Sequence, residues 1–435
     1  MPLRYLLVYL IFRHGKTLLQ DISAIYPDLG SNDPPSKQAV LKRMGILNYD
    51  VWRKIHNLFL ERIYKPMKKE TFKGYLLLAV DGTFVTLPES EVLSLVFGKH
   101  SYRRNKEAEN HSPPQAKLSM IYDVFNRVIL DFEICHQDVS EITLLFRHLE
   151  VLEDLLKDYK VILLADRYYG SAELFKYCEM KGYKYIVRAK SNFFKRQREK
   201  IGKDRYNAWF EVFIDKAWTR RIIRDHIRDY IRDHPLMKIR LIRNHYEYDE
   251  EYPDKERHHY LKHCEADVEY FTNMDEDVFS EEEIVNLYHN DRWDIETGYG
   301  TMKTFVDIEQ LNSRNPITVM NEISSKIIFT NLESLIFKAC EDKEDKDHLP
   351  NNKHIIEMCR SSKFISSFFK RKFENTYLKK LIEECSRVKV MVRKDRHYKR
   401  WGKFRKTLKQ DRHRIDGRNN PPLRLTKAGI LTSNV

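Results

Sequence analysis

Two apolar runs in this chain each lead straight into an aspartate, and no other feature restricts its fold as much. Tyr75-Leu-Leu-Leu-Ala-Val80 runs into Asp81, and Val161-Ile-Leu-Leu-Ala165 runs into Asp166. A short continuous apolar run bounded by polar residues predicts a buried strand. Phe84, Val85 and Leu87 carry the first run onward. Between the two runs, Lys117–Val124 and Val128–Ile134 predict two more strands, joined at the turn-prone Asn126-Arg127. Asp138, with Glu141 three residues later, predicts a capping box. It opens a helix whose Ile142, Leu145, Leu149, Leu152 and Leu156 form one apolar face. A helix over 172–180 and a strand over 183–187 complete the series.

The resulting order is strand, strand, strand, helix, strand, helix, strand. That is an α/β arrangement of the ribonuclease-H-like kind, a mixed sheet flanked by helices, with carboxylates on the first and fourth strands. Around this core the chain divides into further regions. Residues 1–70 read as helical. Ser36 is an N-cap for a helix over 37–44, and a second helix over 49–65 uses Val51, Ile55, Leu58, Leu60 and Ile63. With Lys37, Lys42 and Arg43 this region is either a DNA-reading unit or plain helical packing. Residues 71–190 are the first part of the core. Over 191–280 the pattern breaks into basic and acidic patches with strand-like pieces at 237–242 and 268–271, an inserted and partly β subdomain. Residues 281–340 resume the core with a helix over 281–304, capped by Ser280 with Glu283 at its third position. A helix over 316–341 closes this part, and helices over 353–369 and 377–386 make 341–435 a helical C-terminal region with a basic tail.

Charge gives a direction. The 77 Lys and Arg outnumber 64 Asp and Glu, a net charge of +13. A basic excess of this size favours polyanions, because each phosphate neutralised releases condensed counterions. The excess concentrates in the tail, where Arg400, Lys403 and Arg405 alternate with Tyr398, Trp401 and Phe404. Such residues bind phosphates and stack on bases, or form a solvated tail. The hydrophobic fraction of 42% is enough for packed cores and argues against disorder. The six cysteines stand singly, without a CxxC pair, which favours neither a zinc knuckle nor a disulfide framework. The apolar run Leu6–Phe12 is too short to span a bilayer. A cytoplasmic protein without membrane attachment is expected.

The 281–304 helix carries the densest chemistry. It reads Tyr288-His-Asn-Asp-Arg-Trp-Asp-Ile-Glu296-Thr-Gly-Tyr-Gly-Thr-Met-Lys303. At about 100° per residue, Arg292, Glu296 and Lys303 fall within roughly 40° of one another. A carboxylate in line with two cations suits a metal ion flanked by phosphates, and equally a solvated ion-pair face.

Together, Asp81-Gly-Thr83, Ala165-Asp-Arg167 with Tyr168-Tyr-Gly170, and Arg292-Trp-Asp-Ile-Glu296 with Lys303 resemble the bacterial DDE transposases of the insertion-sequence-four family. Ser36-Lys-Gln-Ala39 is similar to that family's N-terminal region, so the resemblance spans roughly 36–335. The family signature places a tyrosine three residues before the arginine. Here that slot holds His289, and Tyr288 stands one residue earlier.

The resemblance implies a cut-and-paste enzyme using two Mg²⁺ ions, with Mn²⁺ able to substitute. Asp81 would bridge both ions, while Asp166 and Glu296 would each complete one. Arg292 and Lys303 would hold DNA phosphates, with Tyr288 supporting that grip. The expected partners are double-stranded DNA (the element's terminal inverted repeats and a target) and a second copy of the chain. A ribonuclease-H-like nuclease of another role and an inert, transposase-derived DNA-binding protein are the alternatives. His136 and Asp138 read as turn residues after the third strand.

Overall fold

The strand β1 (Tyr75–Thr86) is the centre from which the molecule is built. The computed structural model describes residues 2–99, 113–253, 259–391, 424–425 and 431–432, apart from 16, 31, 32, 203, 204, 343 and 346. Strands β2 (Gln115–Asp123) and β3 (Val128–Cys135) continue antiparallel from β1, with a bulge at Ile121/Tyr122. On its other side β1 pairs in parallel with β4 (Lys160–Ala165), and β4 with β5 (Lys184–Arg188). The order β3-β2-β1-β4-β5 is the ribonuclease-H-like sheet expected from the sequence. Asp81 lies inside β1 rather than at its end, because Gly82–Thr86 stay paired with β2.

The 191–280 segment also joins this sheet. Strands β6 (Asn207–Phe213), β7 (Leu236–Pro253) and β8 (His259–Thr272) add to it in the order β5-β8-β7-β6, with Val187 opposite Phe271.

Four α-helices precede β1 among the described residues: α1 (Leu3–Phe12), α2 (Leu18–Ile25), α3 (Lys37–Ile46) and α4 (Asp50–Phe59), the last running on into a π turn over Leu60–Tyr64. Then come α5 (Glu91–Phe97), α6 (Glu141–Val151), α7 (Glu153–Leu156), α8 (Ala172–Lys181), α9 (Lys195–Ile201), α10 (Lys216–Thr219) and α11 (Asp225–Asp233). After the sheet is complete, α12 (Glu281–Asn286), α13 (Trp293–Thr304), α14 (Pro316–Cys340), α15 (Asn352–Cys359), α16 (Ser362–Lys370) and α17 (Asn375–Arg387) follow. Short strands β9 (His348–Pro350) and β10 (Lys389–Met391) pair near the end of this unit. A separate unit, 250–262 with 392–435, contains one described pairing, Arg424–Leu425 with Leu431–Thr432. Arg400, Lys403 and Arg405 lie outside the described residues.

Successive side chains of a strand face opposite ways, so the sheet buries two cores. Leu76, Leu78, Val80 and Leu163 meet Leu145, Leu149, Leu174 and Phe175 of α6 and α8. Leu77, Ala79, Ile162 and Leu164 meet Ile295 and Met302 of α13, and Val319 and Ile323 of α14. A third core joins α1–α4 to α14–α17. No helix among the described residues is long and apolar enough to cross a membrane.

Several local expectations differ from what forms. The α6 cap is Ser140, whose Oγ accepts the Thr143 N–H at 3.2 Å, and Asp138 stands before it in an exposed turn with His136. A serine next to the first turn reaches the free N–H groups with less strain than a residue three positions back. The helix over 353–369 is two, because Ser361 caps a new start while Arg360 turns away to the carbonyls of Phe305 and Val306. In the N-terminal region Trp52, His56, Phe59, Leu60 and Tyr64 are buried, while Leu58 and Ile63 are exposed. There the face is set by two polar anchors. Trp52 Nε1 donates to Asn321 at 2.8 Å, and His56 Nε2 lies 2.9 Å from the Ile129 carbonyl.

α14 is the spine of the fold, buried around most of its circumference. Its polar side chains tie other parts to it. Asn321 donates to the carbonyls of Met44 and Leu47, Asn331 binds both backbone groups of Ile129, and Lys326 donates to the carbonyls of Val306 and Asp307. Farther along, Glu333 lines a cavity of about 20 Å³ with Arg127, Tyr122 and Thr301, behind α13. Burial pushes its carboxyl up to about 7, against the pull of Arg127. A carboxyl raised on folding stabilises the protein fully below its unfolded value. That contribution is lost as pH rises through the folded value. Denaturant stability should therefore fall between about pH 4.5 and 7 in the native chain, and Glu333→Gln should flatten this part of the profile.

Candidate active site

The β1–β4 register pairs Tyr75 with Lys160 and, five residues on, Val80 with Ala165. Asp81 and Asp166 are the next residues on each strand. Asp166 is still extended (φ −71°, ψ 168°), so continuing the register by one residue would bring the two acids opposite each other at the strand separation of about 5 Å. By alternation both project toward the face that α13 covers.

Helix α13 is pinned there by its own side chains. The Tyr299 hydroxyl donates to the Asp81 carbonyl at 2.6 Å. Lys303 Nζ donates to Thr83 Oγ1 at 2.8 Å and to the Phe84 carbonyl at 2.7 Å, both just beyond Asp81 on β1. Arg292 donates to Glu296 Oε1 at 2.9 Å and lies 5.2 Å from the centre of the Tyr288 ring.

The expected single helix over 281–304 is broken by a π turn at Leu287–Asp291, in which the Arg292 N–H bonds back to Leu287. A π turn holds one more residue than an α turn. It therefore accommodates the extra position between the tyrosine and the arginine. Tyr288 is buried, packs on Tyr270 of β8, and its hydroxyl donates to Asp166 Oδ1 at 3.4 Å. His289 is exposed, on a groove with Arg243, Asn244 and Glu282.

Burial pushes the Asp81 carboxyl up to about 7. Glu296 and Glu141 act in the same direction, and the Gly82 N–H and Arg292 oppose them. Asp81, Glu141 and Asp166 act together on Tyr169, whose hydroxyl is raised well above the usual phenol range, first by burial. The cluster is short of positive charge, and its donors are all oxygen, which suits a hard divalent cation. Among the described residues no three His, Cys, Asp or Glu side chains are already gathered closely enough to hold an ion. The Glu296 carboxylate is held by Arg292 along its own helix. Rotation of that side chain is what would bring it to the aspartates.

The sequence reading did not single out Tyr299 or Glu141 as site residues. Tyr299 carries no signal beyond its position one turn after Glu296. In the sequence Glu141 reads as the acid of a helix capping box. It stands instead against β1, its Oε1 3.6 Å from where a Cβ on Gly82 would lie.

A ribonuclease-H-like sheet with Asp81 on its first strand and Asp166 just past its fourth, under a helix bearing Glu296 and Lys303, is an arrangement of the class that handles nucleic acid with divalent ions. Residues 72–332 match the family model described as the transposase DDE domain, and the chain belongs to that family. Its members are in general DNA-cleaving, metal-dependent enzymes. A cryo-EM structure of a piggyBac transposase synaptic complex with hairpin DNA is similar at a TM-score of 0.40 and 13% identity, over 88% of this chain and 74% of that one. No curated protein matches the sequence.

Proposed function

We propose that this chain is a bacterial transposase of the insertion-sequence-four kind, which excises a mobile element and joins its ends to a target. The observation that carries the reading is the side-by-side placement of Asp81 and Asp166 beneath the helix that presents Arg292, Glu296 and Lys303. Asp81, Asp166 and Glu296 would hold two Mg²⁺ ions, or Mn²⁺ in their place. Bound there, the ions supply Lewis acidity to the attacking water or 3′-hydroxyl and to the leaving oxygen.

The chain's own groups do the rest. Tyr288 orients Asp166 through its hydroxyl. Arg292, which donates to Glu296, would pass to a DNA phosphate once Glu296 served the ions. Lys303 keeps α13 against β1 and presents its charge beside the cut. The region 1–70 and the basic tail of 341–435, with Arg400, Lys403 and Arg405, hold the DNA outside the core. The insertion 191–280 supports Tyr288 through Tyr270. A homodimer would pair the two element ends.

Incubating the protein with terminal-repeat DNA, a target plasmid and Mg²⁺ tests this. Cleaved ends covalently joined to the target support a transposase. Cleavage without joining would indicate a nuclease of another role, and binding without cleavage an inert derivative. Tyr288→Phe should slow cleavage about tenfold or more, the usual cost of losing a group that orients a metal ligand. His289→Ala should leave the rate unchanged, as read in single-turnover assays. The reverse result would give the family's tyrosine role to His289.

A further inference from the structure

Glu141 occupies a position that its place in a helix does not explain. It is the first residue of α6, on the helical layer opposite α13, and its side chain leans over Gly82 on the α6 face, where β1 runs on past the last residue of β4 paired to it. Among the described residues it makes no ion pair and no side-chain hydrogen bond. The two lysines that act on it electrostatically are both engaged by backbone, Lys117 with the Val139 carbonyl at 2.6 Å and Lys190 with that of Tyr168 at 3.2 Å.

α6 is locked in place one side of the sheet away. His148 bridges Asp131 at 2.6 Å and Ser119 at 3.0 Å, all three buried. The carboxylate is therefore presented by a rigid element. Next to it, Tyr169 is completely buried, and its hydroxyl finds no hydrogen-bond partner among the described residues. A buried hydroxyl without a partner costs free energy unless something absent from the protein alone satisfies it. The charges that act on that hydroxyl are Glu141, Asp81, Asp166 and Arg292.

We propose that Glu141 is a fourth carboxylate of the ion site, reaching it from the α6 layer, and that the Tyr169 hydroxyl is its neutral partner there. The inference rests on the proposed assignment of Asp81 and Asp166 as metal ligands. Divalent ions of the Mg²⁺ type keep several water ligands, and these need acceptors. Glu141 would accept from such waters, and Tyr169 would bond to the same layer.

The probe is Mn²⁺ alone, titrated into the full chain with free ion read by electron paramagnetic resonance, alongside thermal melts with and without the ion. Glu141→Gln should weaken Mn²⁺ binding about tenfold or more and shrink the rise in Tm that the ion produces. Without ion its Tm should hold or rise, because a like charge beside Asp81 has gone. Glu141→Asp should recover part of the affinity, and Tyr169→Phe should lose part of it.

Asp81→Asn is the control. If it abolishes Mn²⁺ binding while Glu141→Gln binds as the native chain does, the inference is overturned and the site reading stands. A lowered ion-free Tm with native Mn²⁺ affinity in Glu141→Gln would make Glu141 a helix-end acid and overturn it equally. Native binding in both variants would overturn the site reading itself.

Discussion

Replacing Glu296 by glutamine is expected to abolish DNA cleavage while leaving DNA affinity nearly intact. The amide keeps the shape of the side chain and its acceptor for Arg292, but loses the charge that holds an ion. Ion-assisted stabilisation of an attacking and a leaving oxygen contributes several kcal/mol, so the rate should fall about 10³-fold or more. Asp81→Asn and Asp166→Asn should behave alike. Ca²⁺ should support binding without cutting. Single-turnover cleavage beside filter binding reads both quantities. Full activity in Glu296→Gln would remove this residue from the site. Glu309 would then be the next candidate, since it lies 3.9 Å from Lys303 and accepts the Thr86 N–H at the end of β1.

Breaking the charge cluster inside the helical core should have the largest effect on stability. Arg13 is fully buried and pairs with Asp21 at 3.3 Å and with Glu322 of α14 at 2.9 Å, both also buried. Removing the cation leaves two buried carboxylates without their direct ion-pair partner, a loss of about 3–5 kcal/mol for one such pair, which Lys326 near Glu322 and Arg360 near Asp21 offset only in part. Arg13→Met should therefore move the urea midpoint sharply down. The double variant Arg13→Met, Glu322→Gln should recover part of the loss. A midpoint unchanged in Arg13→Met would mean that the acids take up protons at no cost. Catalysis should suffer with folding, since Lys326, one turn from Glu322, holds the backbone that follows α13.

The acids and the sheet were readable from sequence because each depends on a local pattern. Continuous apolar runs mark buried strands, and the register of β1 on β4 then sets Val80 beside Ala165, one residue before each aspartate. The Arg292, Glu296 and Lys303 spacing is likewise a property of one helix. What could not be read depends on partners distant in the chain. Glu141 has the composition of a first-turn acid, and only the packing of α6 on β1 turns it toward Gly82. The buried polar residues of α14 blur its apolar pattern, since Asn321, Lys326 and Asn331 are satisfied by α3, by the loop after α13 and by β3. β6 was missed because its alternation is short and is completed only by pairing with β7. The burial of Trp52 rather than Leu58 follows from Asn321, 269 positions away.

The π turn at Leu287–Asp291 bears on how this chain tolerates changes of length. Its surplus residue sits between two fixed points, the Tyr288 hydroxyl on Asp166 and the Arg292 guanidinium on Glu296. Removing Asn290 would let the turn tighten to ordinary α geometry. The helix would then run through without a break, and neither anchor need shift far. Insertion of a further residue has no such outlet, because the slack is already taken up. The entrance to α13 is thus a one-way expansion joint, open to shortening and closed to growth.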